Sequence, residues 1–409
     1  MSPERPVPGT GTNHEAVRRH NLGTLLRHVH LGGEVSRAHL TTRMQLNRST
    51  IGGLVTELEG LGLARQTTPS PGRGAGRPSA GVAAAHDGPF VIAVDLGVDR
   101  VVVARVALGG AVEQRASAAI APSAREAWQV GSAVADLVRE VVSGAPPTAP
   151  LVGIGVSVPG LVRRSDGLVR LAPNLEWHDV SFGSIVLAAL GLDVPVTTAN
   201  DADLGALAEQ RRGAGMGIDD LVYISGNVGV GAGVILGGHP LRGAAGYVGE
   251  VGHLRLGTEG RACHCGNIGC WETEVGGLAI AAAVGCPAEQ VASLDGFLDA
   301  YAGPLEGLRE VAEQLGGGLA SLVNVFNPER LVLGGYFRPL FALVGDEVRR
   351  ALAARALPAP MESMSLTTPG LGADSVLVGA AEVALEPLLV DPVATMAQAV
   401  RDVPARLAG

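Results

Sequence analysis

From Phe90 onward the chain alternates short aliphatic runs that stop at glycine turns with longer helical stretches, and this rhythm dictates a layered fold. The runs FVIAVDL (Phe90–Leu96), VVVARVAL (Val101–Leu108), LVGIGVSV (Leu151–Val158), LVYIS (Leu221–Ser225), GAGVIL (Gly231–Leu236) and RLVL (Arg330–Leu333) read as buried strands. Between them Ala124–Val142, Ala202–Arg212 and Leu305–Val325 have helical length and spacing. Strands alternating with helices form an α/β body, because each apolar sheet face needs a covering layer. The strand–turn–strand opening recurs, which predicts two related α/β lobes. Only 3% of the 409 residues are aromatic against 47% hydrophobic, so the cores must be aliphatic. No apolar stretch approaches the roughly 20 residues of a membrane span. The start, Met1-Ser-Pro-Glu-Arg-Pro, lacks the apolar segment of a signal peptide. The expectation is a soluble, cytoplasmic protein with no membrane partner.

Charge divides the chain. Residues 1–85 hold ten Arg against five acids, while the whole carries −9, so the remainder is strongly acidic. A basic module attached to an acidic body fits this asymmetry, and the net charge argues against coating nucleic acid with the whole surface. Within the head, residues 13–30 place Val17, Leu22, Leu25, Leu26 and Val29 on one helical stripe. Ser36 N-caps a short helix through Thr42; Met44–Asn47 make a tight turn; Arg48–Glu59 forms a second helix burying Ile51, Leu54, Val55 and Leu58. Two short helices around such a turn describe a helix-turn-helix, and Leu63–Thr67 begins a wing. Arg48, Ser49 and Thr50 at the second helix's start suit base edges and phosphates, with Arg37 opening the first helix. A basic three-helix bundle with no DNA role is the alternative. Residues 69–88 form a Gly/Pro/Arg linker, in which Arg73 and Arg77 have the character of an arm that enters a minor groove.

Three of the four Cys lie together as Cys263-His-Cys265-Gly-Asn-Ile-Gly-Cys270. Thiolates this close, without a secretory signal, favour a metal over a disulfide. His253, in Gly249-Glu-Val-Gly-His253, is the natural fourth ligand of a tetrahedral zinc, and His264 is its competitor. Four protein ligands close the site, so the zinc is structural. Cys286 is a buried bystander. Asn200 and Asp201 follow a strand and open a helix; Glu250 and Glu272 flank the cysteine region. Carboxylates and amides on a rigid frame are what orients a ring of hydroxyls. Asp201 taken alone reads more readily as a helix cap than as a catalyst.

At these residues the sequence resembles the ROK family of repressors and sugar kinases, and specifically its transcriptional-repressor branch, from about His14 to Pro387. The motif that carries the resemblance is Glu250-Val-Gly-His253 followed by CxCGxxGCxE, here Cys263 to Glu272. The resemblance implies a two-lobed actin/hexokinase-like body, lobes at 89–199 and 200–409, behind a winged helix-turn-helix at 1–68; the last helix is free to return to the first lobe. It implies sugar contacts at Asn174, Asn200, Asp201, Glu250, His253 and Glu272, with the Pro159-Gly160 turn beside them. Zinc would rest on His253, Cys263, Cys265 and Cys270. Asp201 stands where kinase members keep their general base.

The phosphate half departs from the kinase pattern. Where kinase members read Asp-x-Gly-Gly-Thr-Lys, this chain has Asp95-Leu-Gly97-Val98-Asp99-Arg100, and Asn227-Val228 replaces a Gly-Thr before Gly229-Val-Gly231. A second charge at Asp99 would repel a phosphate by about 4 kcal/mol at close range. Tyr336 and Phe337 follow Gly334-Gly335 and crowd an adenine. Phosphoryl transfer rests on positioning and electrostatics, so ATP and Mg²⁺ are poorly supported as cofactors and no catalytic residue is assigned. The expectation is a non-enzymatic, sugar-responsive repressor of carbohydrate-utilisation genes. Its partners are a monosaccharide and an inverted-repeat DNA operator, and it assembles as a homodimer or homotetramer. An active sugar kinase carrying a DNA-binding module is the alternative, and a ligand-free DNA-binding scaffold the third reading.

Overall fold

The structure, a computed structural model, describes residues 14–67, 80–256, 260–401 and 403–408. In the head, α1 (His14–Gly32), α2 (Arg37–Met44) and α3 (Arg48–Gly60) bury Leu22, Leu25, Leu26, Val29, Leu40, Ile51, Leu54, Val55 and Leu58. Ser36 caps α2 by accepting from the His39 amide at 3.1 Å, and left-handed Gln45 (φ 54°) ends it. Asn47 then caps α3 through the Thr50 amide at 2.8 Å, so the turn between them is three residues long. Val17, expected in the buried stripe, is 45% exposed; it lies on the first turns of α1, most of whose side chains are exposed. The short strand β1 (Val35–Ser36) and β2 (Ala64–Thr67) both pair antiparallel with β3 (Gly81–Ala84). Residues 81–84, expected in the linker, are therefore the returning arm of the wing: the small side chains that look like linker are the ones that pack beneath a hairpin. Arg73 and Arg77 lie outside the described residues.

In the first lobe β4 (Phe90–Leu96), β5 (Arg100–Ala107) and β6 (Val112–Ala119) form an antiparallel meander, and β7 (Leu151–Val158) runs parallel to β4. A small antiparallel sheet of β8 (Leu161–Arg163), β9 (Leu168–Ala172) and β10 (Trp177–Val180) follows, and β11 (Val196–Asn200) completes the main sheet in the order β11-β7-β4-β5-β6. The second lobe repeats this plan. Its β12 (Leu221–Gly226), β13 (Val230–Leu236) and β14 (His239–Pro240) are antiparallel, while β15 (Arg330–Gly335) and β16 (Ser365–Thr367) add parallel strands, giving β14-β13-β12-β15-β16. The duplication anticipated from the repeated opening is thus present strand for strand.

On the first sheet pack α4 (Ala127–Val142) and α5 (Phe182–Leu190), and α6 (Asp201–Arg212) runs from the end of β11 across β12 and β13. The second lobe carries α7 (Glu272–Val275), α8 (Gly277–Val284), α9 (Leu294–Asp299), α10 (Glu306–Phe326), α11 (Phe337–Arg355) and α12 (Pro358–Met361). The chain then returns: α13 (Ser375–Val390) lies on β4 and β7, followed by α14 (Pro392–Gln398) and α15 (Val403–Ala408) against α4. Residues 375–408 therefore belong to the first lobe. The glycines of LVGIGVSV explain how: a Cβ on Gly155 would stand 1.9 Å from the Ala380 carbonyl, and one on Gly153 2.8 Å from that of Ala384. No helix of the described residues is long and apolar enough to cross a membrane.

The head is joined to the body by charge as well as by apolar contact. Glu382 on α13, 1% exposed, accepts from Arg211 Nη1 at 3.0 Å, from Arg212 Nε and from His30 Nε2 of α1 at 3.1 Å. Burial alone would raise its pKa, yet the His30 hydrogen bond and the flanking Arg212 and Arg211 hold the carboxyl well below the usual range. Removing it leaves the Arg212 guanidinium without a carboxylate and the His30 Nε2 without its acceptor, while Arg211 keeps Glu386. Glu382→Ala should therefore cost about 3–5 kcal/mol, the loss expected when one partner of a buried ion pair is deleted, seen as a lower urea midpoint with unchanged far-UV circular dichroism before the transition.

Candidate functional site

The end of β11 and the start of α6 set the site. Asn200 caps α6, its Oδ1 accepting from the amides of Ala202 (2.8 Å) and Asp203 (3.3 Å), while its Nδ2 donates to the Gly160 carbonyl (3.0 Å). Asp201 is thereby fixed at a helix N-terminus, where the backbone favours negative charge. Its Oδ2 accepts from Ser225 Oγ at 3.2 Å, near the end of β12, and from Asn227 Nδ2 at 3.1 Å, in the turn after it. Burial pushes the Asp201 pKa up, against these hydrogen bonds.

Opposite, two glycines hold the Glu250 turn against β13. A Cβ on Gly249 (φ 102°) would meet the Ala232 carbonyl at 1.8 Å, and one on Gly252 the Val230 carbonyl at 2.2 Å. That close approach aims Glu250 and His253 into the cleft. His253 Nε2 lies 3.8 Å from Glu250 Oε2, and its Nδ1 is 3.8 Å from both Glu272 Oε1 and Cys263 Sγ. Glu272 also accepts from the Val230 amide at 3.3 Å.

A cavity of about 300 Å³ brings together Asn174, Asn200, Asp201, Glu250, His253 and Glu272, with Pro159 and Gly160 on its wall. The six residues picked out as sugar contacts, drawn from four separate segments, thus line one space. It is lined by no Arg, and it has the size of a small-ligand site. Asn200 is largely occupied as cap and strut, so its amide serves the wall more than the interior. Sequence reasoning missed four polar residues here. Ser225 and Asn227 position Asp201; Ser225's signal was alternation on β12, whose even and odd side chains point to opposite faces, and Asn227 lies in the turn that follows. His264 and Asn267 also line the cavity.

The cysteine loop lies directly beneath. The ligand atoms of His253, Cys263, Cys265 and Cys270 all fall within 4.8 Å of one another. Cys265 Sγ and Cys270 Sγ are 3.7 Å apart. Tetrahedral zinc with sulfur bonds of about 2.3 Å separates its sulfurs by about 3.8 Å, so the donor set and spacing fit a metal such as zinc. His264 faces the cavity and is not in the cluster; Cys286 is buried apart from it, its thiol near the Pro287 carbonyl.

A second cavity, about 130 Å³, adjoins the first at Asp201, Ser225, Asn227 and Val228. The hairpin turns β4–β5 and β12–β13 form its walls, presenting Asp95, Asp99, Arg100 and Val228, and Tyr336 and Arg338 close it. Phe337, expected beside Tyr336 in this space, is instead fully buried in the second lobe's core, where Gly226 leaves room for its ring. Acids crowd this region. Burial and the Asp201 charge raise Asp95 to about 6, and burial with Asp201 and Glu250 raises Asp203 to about 7.

In the head, Arg48 and Ser49 are exposed at the N-terminus of α3, and Thr50 is half-buried. Ser49 Oγ donates to Asn47 Oδ1 at 2.7 Å. Arg37 is half-buried at the start of α2, its Nε shielded without a hydrogen-bond partner. Arg43, exposed at the end of α2, is a basic residue that the sequence reading passed over.

The comparisons with known proteins decide the family. The ROK family model matches residues 91–386. The chain belongs to the ROK family. A xylose repressor of Caldicellulosiruptor bescii is 30% identical over 408 residues, covering 93% of this chain and 99% of that protein. A glucokinase of Streptomyces coelicolor is 31% identical but covers only 64% of this chain. Among solved structures, a ROK family transcriptional regulator described as a homolog of the E. coli MLC protein superposes with TM-score 0.71 at 25% identity, covering 96% of this chain and all of that one. This ROK chain therefore shares its fold with a ROK transcriptional regulator over nearly its full length.

Asp95 yields a test of the crowded acids. Its folded pKa of about 6 exceeds the ordinary 3.8, so its ionisation opposes folding above about pH 6, and that cost fades as pH falls towards 4. Asp95→Asn should raise the melting temperature at pH 7.5 and leave it unchanged near pH 4.

Proposed function

We propose that this ROK protein is a sugar-responsive transcriptional repressor that binds a monosaccharide in the first cavity and does not phosphorylate it. The observation that carries the reading is the contrast between the two adjoining cavities. The first gathers acids, amides and imidazoles around a space with no cationic side chain, which suits a neutral ring of hydroxyls and disfavours a sugar phosphate. The second offers Asp99 and Val228 where transfer needs amides and hydroxyls around phosphate. Full-length similarity to a xylose repressor supports the same reading, and it draws the sugar class towards aldoses.

Asp201 and Glu250 would accept from sugar hydroxyls, Asn174 would pair with a neighbouring one, and Glu272 and His253 would bound the ring's far side. Zinc on His253, Cys263, Cys265 and Cys270 would be structural, holding His253 and the Glu272 segment in place. In the head, Arg48, Ser49 and Thr50 would meet base edges and phosphates in a major groove, with Arg73 and Arg77 extending the contact into a minor groove. A homodimer or homotetramer would place two heads on an inverted repeat, and sugar would favour one arrangement of the lobes over another.

The test is fluorescence anisotropy of the protein on its own upstream DNA at fixed salt, with a panel of monosaccharides that includes xylose and glucose. Tight binding reversed by one sugar supports the reading; ATP consumption with any sugar of the panel overturns its non-enzymatic half. Asp201→Asn should raise the half-effective sugar concentration about tenfold or more, as loss of a charge-assisted hydrogen bond costs about 1.5–3 kcal/mol, while leaving DNA affinity unchanged. Arg48→Ala should weaken DNA binding by about 1–3 kcal/mol with sugar affinity intact by calorimetry. Cys265→Ser should release metal in a chromogenic zinc assay and lower the melting temperature.

A further inference from the structure

α6 touches two functions that the sequence keeps far apart. Its first turn carries Asn200 and Asp201 at the wall of the first cavity, and its last turn carries Arg211 and Arg212 at the junction with the head. A helix of 12 residues spans about 18 Å, so the two ends are joined by one stiff element. At the far end, Arg212 binds three partners: Glu382 of α13 through Nε, the Gly109 carbonyl through Nη1 at 3.1 Å, and the His30 carbonyl of α1 through Nη2 at 3.2 Å. His30 completes the ring, since its Nδ1 accepts the Gly109 amide at 2.9 Å. Arg211 shares Glu386 with Arg27 of α1, through bonds of 2.8 and 2.6 Å.

α6 cannot shift without its neighbours. A Cβ on Gly379 would stand 2.1 Å from the Leu204 carbonyl, so α6 and α13 touch backbone to backbone. Fully buried Glu209 of α6 accepts from the amides of Gly370 and Leu371 and from Ser375 Oγ at 2.7 Å, tying the start of α13 to the end of α6. α13 in turn meets the head, where a Cβ on Gly23 of α1 would lie 2.6 Å from the Leu389 carbonyl.

We propose that α6 is the element through which sugar in the cleft re-seats the DNA-binding head, with Arg212 and the Arg211–Glu386–Arg27 bridge as the positioning contacts at its output end. This rests on the sugar-sensing function proposed above. Sugar that draws in Asp201 moves the α6 N-terminus, the stiff helix displaces its last turn, and α1 follows through His30 and Arg27. The observation behind it is a contiguous network of hydrogen bonds, buried and half-buried ion pairs and close backbone crossings that joins the two sites, the kind of network through which coupling travels.

Hydrogen exchange of the full-length protein with and without xylose and glucose tests the route without requiring a known operator. The wild type should show sugar-dependent protection around Asn200–Asp201 and Glu250, together with a change of at least about threefold in exchange over α1. Arg212→Ala should keep the cleft protection and lose the change in α1. Arg27→Gln, at the partly exposed rim where folding is not at stake, should at least halve it. In the anisotropy assay both variants should bind sugar with wild-type affinity yet lose most of its effect on DNA. Wild-type-sized changes in α1 in both variants would overturn the proposal, as would cleft protection without any change in α1 of the wild type. Absence of cleft protection with every sugar would instead fail the sugar-sensing function, and this inference with it.

Discussion

The architecture hangs on one helix packed closer than side chains ordinarily allow. α13 lies on β4 and β7 because Gly153 and Gly155 remove the Cβ atoms that would strike its carbonyls, and it meets α6 and α1 through Gly379 and Gly23. Four glycines in three separate elements therefore share one purpose. They let a helix from the end of the chain serve at once as the cover of the first sheet, the support of α6 and the seat of the head. Interiors packed this tightly transmit displacement instead of absorbing it, which is why the position of this helix governs both the cleft and the junction.

Electrostatics divides the cleft into unlike halves. Asp95, Asp201, Asp203, Glu250 and Glu272 gather about one small region, and the raised pKa values of Asp95 and Asp203 express first the loss of water and then the mutual repulsion. In the first cavity, which no Arg lines, such a field has little tolerance for a phosphate group. It is well matched to hydroxyls, which donate to carboxylates without bringing charge. The head shows the opposite solution: among its described residues most guanidinium groups are exposed, and Arg27, turned towards the junction, meets Glu386 on α13.

Much of this was legible in the sequence, for reasons that particular residues make clear. The strands Phe90–Leu96 and Leu151–Val158 were found to the residue because β-branched runs bounded by glycine leave few alternatives. The metal cluster was legible because its ligands are chemically distinctive and close in sequence, and the cleft acids because a specific motif carried them. What escaped notice depended on contacts distant in sequence. Gly81–Ala84 has a strand's structure with a linker's composition, since its partner strand supplies the pairing. Phe337 looks like a cleft residue beside Tyr336 until the turn of α11 sends it inward. Glu382 sits in an unremarkable apolar helix, and nothing local shows that two arginines and a histidine converge on it.

The strand-for-strand likeness of the two lobes bears on how such a protein changes over evolutionary time. The β4–β5 and β12–β13 hairpins occupy matching places in the two sheets, and their turns face each other across the second cavity. A doubled unit thus builds its phosphate-facing wall from two copies of the same corner. Both corners here lack the kinase residues, and repairing either alone would leave Asp99 or Val228 still lining the space. On the non-enzymatic function proposed above, a descendant of this chain would need to change both corners before phosphoryl transfer gained anything, so a single repaired corner would bring no reward.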